Sequence, residues 1–407
     1  MAGPLTHLKV LDLSRILAGP WAGQVFADFG AEVIKVERPG KGDDTRHWGP
    51  PYLKDAQGED TRDAAYYLCA NRGKKSITVD ITRPEGQQLI RELAAKCDVV
   101  LENYKVGGLK KYGLDYPSLK QVNPKLIYCS ITGFGQSGPY ANRAGYDAMI
   151  QGMGGLMSLT GVPEGEPGAG PQKVGVAVAD LMTGMYAVSA MLAAVIHRDR
   201  TGEGQHIDLA LLDTQVAWLA NQAQNYLTSG NVPQRQGTAH PNIVPYQAVP
   251  AADGYFMLAV GNDAQFQKFC AIAGLTEVAS NPAYATNTGR VQARQQLVPL
   301  VEQATRQRPA AWWLEQLSEA HVPCGPINDL AQVFADPQVQ ARGMVVEQAH
   351  PSAGLVRTVR NPACFSGTPL EYTQAPPVLG QHTESVLTDW LGKSAEEVGA
   401  LKLDGIV

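Results

Sequence analysis

The order of segments predicts an α/β protein: a large domain built on a Rossmann-like parallel sheet, with a smaller α+β domain set into the chain. Two observations carry this. Between Leu8 and Leu209, short β-branched runs alternate with longer amphipathic or apolar stretches, the pattern of strands joined by helical crossovers. From Ser229 to Gly237 that patterning breaks, and the stretch beyond it mixes a strand with several helices. The expected boundaries are 1–227 for the first part of the large domain, 228–325 for the small domain, and 326–407 for a segment that returns to the large one.

Leu8–Leu13 reads as the first strand, Ser14–Gly19 as a loop and Pro20–Phe29 as a helix. Pro20 suits a first helical turn, Gly30 its end, and Trp21, Val25, Phe26 and Phe29 share one face. Glu32–Glu37 is the second strand, so the chain opens with a βαβ unit whose second strand ends on an acid, as a nicotinamide-dinucleotide site would. The loop argues against that site: Ser14–Pro20 holds one glycine where the dinucleotide fingerprint needs three. Further strands are expected at Ser76–Asp80, Val99–Leu101, Leu126–Ile131 and His206–Leu209, with helices at Pro84–Lys96 and Leu211–Leu227. Ligand loops gather at strand ends in such sheets, here Ser14–Gly19, Glu102–Tyr104 and Thr132–Pro139. In the small domain Tyr255–Val260 is a strand, and Gly237–Gln247, with two prolines and a glycine, is irregular. Pro326–Phe334 and Leu379–Leu391 read as helix and turn.

Of the 407 residues 18% are charged and 44% apolar, the balance of a globular chain. A net charge of −5, without a basic patch interleaved with aromatics, argues against nucleic acid as a partner. The N-terminus lacks a basic segment followed by an apolar core, and no uncharged apolar run reaches membrane-spanning length, so neither export nor a membrane is expected. The six cysteines are scattered with no CxxC pair. They read as free thiols of a reducing compartment, with the cytoplasm as the default and no metal site.

The most unusual stretch runs from Val174 to Met185. Val174–Ala179 reads as a strand buried on both faces, Leu181–Ile196 as a helix apolar nearly all round and hence buried, and Asp180 stands at the joint. A lone carboxylate between two apolar elements is costly to desolvate as an ion. Asp180 is therefore either the N-cap of the helix or a group whose reactivity that setting serves. Gly175 and Gly184 flank it, and the turn after it, Leu181-Met182-Thr183-Gly184, lacks the acids of a surface helix. Other candidates are scattered. Arg38 follows Glu37 and suits a phosphate fork or a surface ion pair. Arg46 and Trp48 offer a cation and an aromatic wall for an acidic substrate, and Asn71-Arg72-Gly73-Lys74-Lys75-Ser76 concentrates three cations. His240 lies in the irregular stretch of the small domain, as a structural or a substrate-facing histidine.

Taken together, these stretches resemble the class III CoA-transferases, over nearly the whole length from Leu11-Asp12-Leu13 to Leu379-Gly380-Gln381-His382-Thr383. The resemblance rests on motifs in a fixed order: Ala18-Gly19-Pro20, Ile34-Lys35-Val36-Glu37-Arg38, Asn71 to Ser76, Glu102-Asn103-Tyr104, Ala179-Asp180 and Thr201-Gly202-Glu203-Gly204-Gln205. It implies a nucleophilic aspartate at Asp180 and no metal. It implies coenzyme A contacts at Ile16, Leu17, Arg38, Asn71, Arg72, Lys74, Lys75, Glu102, Asn103 and Tyr104, with Lys111 where some members carry Arg. It also implies a homodimer of two interlocked, ring-like subunits.

The implied chemistry is covalent: a carboxylate attacks an acyl-CoA, and CoA passes through an aspartyl anhydride and an aspartyl-CoA thioester to an acceptor acid. Such intermediates hydrolyse, which accounts for an apolar setting around the nucleophile. The α-methylacyl-CoA racemases share the fold, but in the segment matching Gly145-Tyr146-Asp147 Tyr146 stands where their histidine would. A CoA-binding protein without chemistry would keep Asp180 as a plain cap. Gly237 to His240, Ile243 to Gln247, Asp44 to Arg46 and Trp48 to Pro51 look most like the succinyl-CoA:glutarate branch. The formyl-CoA:oxalate branch carries a glycine run not found here. Succinyl-CoA is thus the expected donor and a short dicarboxylate such as glutarate the expected acceptor. Substrate contacts are expected at Arg46, Trp48, Arg143, Tyr146 and His240.

Overall fold

A computed structural model describes residues 3–407. The chain divides into two compact units. The larger holds the residues up to Leu156, Lys173–Asn231 and Gln340–Val407; the smaller holds Met157–Gln172 and Val232–Val339.

Six strands of the larger unit, β1 (Lys9–Asp12), β2 (Glu32–Glu37), β3 (Lys75–Thr78), β4 (Val99–Glu102), β5 (Ile127–Thr132) and β6 (His206–Ala210), form one sheet. Their order is β3-β2-β1-β4-β5-β6 and every pair is parallel, with Leu11 opposite both Ile34 and Val100. Val10, Leu11, Ile34, Val99, Val100, Leu101 and Ile127 are fully buried, as expected of a parallel sheet covered on both faces. The chain leaves β1 toward β2 on one side and later returns to β4 on the other. That reversal opens a crevice at the carboxyl ends of β1 and β4, where sheets of this order bind ligands.

One face carries α1 (Ala18–Asp28), whose Ala22, Val25 and Phe26 share a core with Ala187, Met191 and Val195 of a later helix. The other carries α2 (Pro84–Ala94), packed through Leu89, Ile90 and Leu93 against Val386, Leu387 and Trp390 of the C-terminal helix Thr383–Leu391. Toward the site the chain adds α3 (Asp147–Met153) and α4 (Val178–Thr201), then α5 (Leu211–Ala217) and α6 (Ala220–Ser229). A Cβ on Gly184 would lie 2.7 Å from the carbonyl oxygen of Ala18, so glycine is what lets α4 cross α1 this closely.

Three expectations are corrected here. Val174–Ala179 is not a strand: β6 fills the sheet edge beside β5, Val176 is exposed, and α4 already begins at Val178. The apolar helix is longer than expected, 24 residues, and by length and composition alone it is apolar enough to cross a membrane. It is buried along one face only; Thr183, Ala187 and Met191 point into the core while Met185, Tyr186 and Ile196 are exposed. The helix expected over Leu211–Leu227 is two helices, broken where Ala220 takes a positive φ of 43°.

The smaller unit has a three-stranded antiparallel sheet of β7 (Tyr246–Pro250), β8 (Tyr255–Ala259) and β9 (Cys324–Pro326), in the order β9-β8-β7. Phe256, Leu258, Phe266, Phe269, Trp313 and Leu317 form its core. The final residues of the stretch read as irregular therefore start a strand. Asp329 and Gln332 form a capping box that opens the helix Leu330–Ala335.

Candidate active site

The loop after β1 turns abruptly. Ile16 has φ +72°, a left-handed conformation that is a genuine outlier for a β-branched residue. Across the crevice, Asn103 from the end of β4 accepts a hydrogen bond from Arg15 N at 2.9 Å and donates one to Arg15 O at 2.6 Å. The loop after β5 approaches through Gly133, where a Cβ would sit 2.6 Å from the Cα of Gly145; two glycines pass backbone against backbone. These loops meet α4 in one cavity, lined among others by Arg15, Ile16, Leu17, Asn103, Tyr104, Arg143, Tyr146 and Asp180.

Asp180 lies in the first turn of α4 but does not cap it. The N-cap position is Ala177, and the capping is done from another helix: Asp147 Oδ1 accepts from Ala179 N at 2.8 Å and from Asp180 N at 3.3 Å. Gln151 donates to the other oxygen of Asp147 at 2.7 Å. The carboxylate of Asp180 is thus left over, opening onto the cavity, and among the described residues no cation pairs with it. Burial, with the negative charge of Asp147 second, pushes its pKa up to about 7. Tyr66 feels the same charge: burial first and Asp180 second push its phenol up to about 12. Trp48 packs edge-on against Tyr66 with ring centroids 5.2 Å apart.

A second hollow adjoins the first and shares Arg15 and Tyr104 with it. Arg38, Lys41 and Tyr112 also line it. Lys111 is exposed, with its ammonium 4.6 Å over the Tyr112 ring. The chain thus presents a cavity with one unpaired carboxylate beside a hollow edged by Arg38 and Lys41 as well as by the Arg15–Asp44 pair and Asp80. That combination suits a ligand with an anionic head and a reactive far end.

Several residues expected at the site stand elsewhere. Arg46 is buried beneath it, where its guanidinium is engaged by Glu37, Asp63, Tyr67 and the carbonyl of Pro377. Arg72 forks onto Asp28 and bonds Thr358 and Val359 O. Lys74 is fully buried on Asp12, Asn71 and Pro20 O, and burial pushes it down to about 8. Asn71 bonds Tyr67 O as well, and Lys75 pairs with Glu32. Glu102 accepts from Tyr104 N at 2.8 Å, and burial pushes its carboxyl up to about 7. His240 belongs to the smaller unit, stacked on Tyr246 and accepting from Asn242 N. Reasoning from sequence missed Arg15, Tyr66 and Asp147. Asp147 was visible beside Tyr146, but its capping of a helix 31 residues later is a tertiary fact with no local signal.

The profile of CoA-transferase family III matches residues 5–383. The chain is 54% identical to a succinate–glutarate CoA-transferase of Agrobacterium fabrum, over 95% of each chain. It is 45% identical to a human succinyl-CoA:glutarate CoA-transferase, over 99% of this chain and 90% of that one. Among solved structures it resembles a CAIB/BAIF family protein from Brucella suis at 52% identity, with a TM-score of 0.83 over 96% of this chain and all of the other. A hypothetical protein from Mycobacterium tuberculosis superposes with a TM-score of 0.82 at 31% identity, over 94% of this chain and 99% of that one.

Proposed function

Because the chain belongs to CoA-transferase family III, we propose that it moves CoA from succinyl-CoA to glutarate or a closely related short dicarboxylate, with Asp180 as the nucleophile. The observation that carries the reading of Asp180 is its unpaired carboxylate, left in the cavity because Asp147 does the capping. The names of the relatives support the choice of substrates.

Asp180 attacks the thioester carbonyl of succinyl-CoA, and CoA leaves as the thiolate. The thiolate attacks the aspartyl carbonyl of the resulting anhydride, which releases succinate and leaves Asp180 as a CoA thioester. A carboxylate of glutarate then attacks that carbonyl and expels the thiolate, which returns to the glutaryl carbonyl and frees Asp180. A carboxylate with no ion pair is poorly solvated, and that raises its nucleophilicity while the enclosed setting protects both intermediates from water.

In this reading the second hollow takes the nucleotide end of CoA at Arg38 and Lys41, with Lys111 over the Tyr112 ring at its edge, and the thioester passes between Arg15 and Tyr104 toward Ile16, Leu17 and Asn103. Arg143 is the cation for the distal carboxylate of the acceptor: it lines the cavity, and its guanidinium lies over the rings of Phe134 and Tyr140, with no acid paired to it among the described residues. Trp48, Tyr66 and Tyr146 supply aromatic surface. Asn71, Lys74, Glu102 and Arg46 keep a supporting part beneath the loops, whereas Arg72 and Lys75 pair with Asp28 and Glu32 at the amino end of β2.

The proposed assembly is a homodimer, supported by the exposed apolar side chains of α4, α5 and α6: Met185, Tyr186, Ile196, Val216, Tyr226 and Leu227. Six unpaired thiols suit a reducing compartment such as the cytoplasm. Incubation with succinyl-CoA and glutarate, followed by chromatography of the thioesters, tests the reaction. Glutaryl-CoA and succinate in equal amounts are expected; simple hydrolysis, or no turnover with any dicarboxylate, would contradict it.

A further inference from the structure

The strained turn at Ile16 is held by an unusual set of partners. Every main-chain polar group from Ser14 N to Ile16 N is bonded to a side chain. Ser14 N donates to Asp12 Oδ1 at 2.9 Å, and Ser14 O accepts from Lys35 Nζ at 3.0 Å. Arg15 N and O are both held by Asn103. Ile16 N donates to both oxygens of Asp43 at 3.3 Å. Lys35 and Asp43 also pair with each other at 2.8 Å, with side chains 0% exposed, so one buried ion pair grips the loop on both sides of Arg15.

That grip is itself anchored. Asp43 Oδ1 accepts from Thr45 N and Thr45 Oγ1, and Asp43 N donates to Glu37 Oε2. Asp12, Lys35 and Asp43 come from β1, β2 and the loop after β2, which are rigid ground for a loop at the switch point. Burial opposes charge on both partners, yet Asp43 is held below the usual carboxylate range by Lys35, and Lys35 above its usual value by Asp43 and Asp12.

What is gripped lies in the cavity wall. Ile16, Leu17 and Ala18 all line the Asp180 cavity, and among the described residues no acceptor is bonded to the N–H of Leu17 or Ala18. Released, an isoleucine would leave the left-handed region, and the peptide planes on either side of it would swing.

We propose that Lys35 and Asp43 are positioning residues for CoA transfer, a buried ion pair that staples Ile16 in its left-handed turn and so fixes the main chain of Ile16–Ala18 where the reacting acyl group lies. The proposal rests on the reading of the Asp180 cavity as the transfer site. Glycine adopts this turn without strain, so the Ile16→Gly variant has less need of the staple than isoleucine has.

The test is a rescue cycle. Asp43→Asn removes the charge, and the pair Lys35→Met with Asp43→Asn removes the buried ion pair together, so that neither charge is left alone. Both are measured with and without Ile16→Gly, for kcat, KM, CoA affinity by calorimetry, melting temperature, and hydrogen exchange of the peptide spanning residues 14–18. The expected result is a fall in kcat of about 10- to 100-fold in both staple variants, the size of a small misplacement at a reacting centre. Exchange at 14–18 quickens, and adding Ile16→Gly recovers part of the lost kcat. An unchanged kcat, or a loss to which Ile16→Gly adds independently, overturns the proposal. Staple variants that cannot be recovered folded also count against it, because they make the pair a folding element. A wild-type protein that transfers no CoA, but whose 14–18 exchange still quickens on Asp43→Asn, would instead refute the transfer reading and leave the staple standing as geometry.

Discussion

At the scale of the residue, Asp180 should behave as a carboxylate in poor surroundings. Asp180→Asn is expected to abolish transfer, by at least about 1,000-fold, since no other carboxylate takes its place in the cavity. In the wild type, kcat/KM for succinyl-CoA should rise with pH through about 7 as Asp180 ionises; a profile flat from pH 5 to 8 would contradict that. The same shift has a sign in stability. The folded state holds this proton more tightly than the unfolded chain, so the contribution of Asp180 is present at low pH and is lost as pH rises from about 4 through about 7. Asp180→Asn should therefore gain melting temperature over wild type at pH 8 relative to pH 5. Arg143→Ala should raise KM for glutarate about tenfold and leave KM for succinyl-CoA less affected, the difference measured by varying each substrate in turn. Asp180 stands out in the sequence because a lone acid in an apolar run is odd in itself. It misplaced Arg46 and Arg72 because a string of letters shows a charge but not its partner: Arg46 meets Asp63 and Pro377, and Arg72 meets Thr358.

At the scale of the element, the site depends on how two helices start. α1 and α4 open onto the same cavity, and Gly184 lets them cross closely. Gly184→Val should push them apart, lower stability by about 1–3 kcal/mol and cut transfer by more than the lost fraction of folded protein explains. Thermal melting beside kcat at a temperature where the variant is folded separates the two effects; normal kcat would remove the crossing from the account. The six strands were legible because buried parallel strands are apolar runs bounded by turn residues, and all six fall within two residues of the expected ends, five of them within one. The sixth, Lys75–Thr78, ends two residues early because Asp80 already bonds Thr82 in a turn. Val174–Ala179 has the composition of a strand but no vacant ladder to join. The break between α5 and α6 has no proline or glycine to announce it, since the residues there are Trp218, Leu219 and Ala220.

At the scale of the whole molecule, an apolar helix 24 residues long with one face uncovered asks for a partner, and a second copy of the chain is the one this account expects. Sedimentation should give twice the chain mass of 43.6 kDa at micromolar concentration, and Ile196→Asp with Leu227→Lys should shift it toward the single chain. A wild-type monomer would remove the dimer. The central claim is chemical, and it is tested on the intact protein by mass spectrometry of the peptide containing Asp180 after incubation with succinyl-CoA, with and without hydroxylamine. The account predicts a CoA or hydroxamate adduct on Asp180 that is absent from Asp180→Asn. An unmodified Asp180 in a protein that nevertheless turns succinyl-CoA over would contradict it.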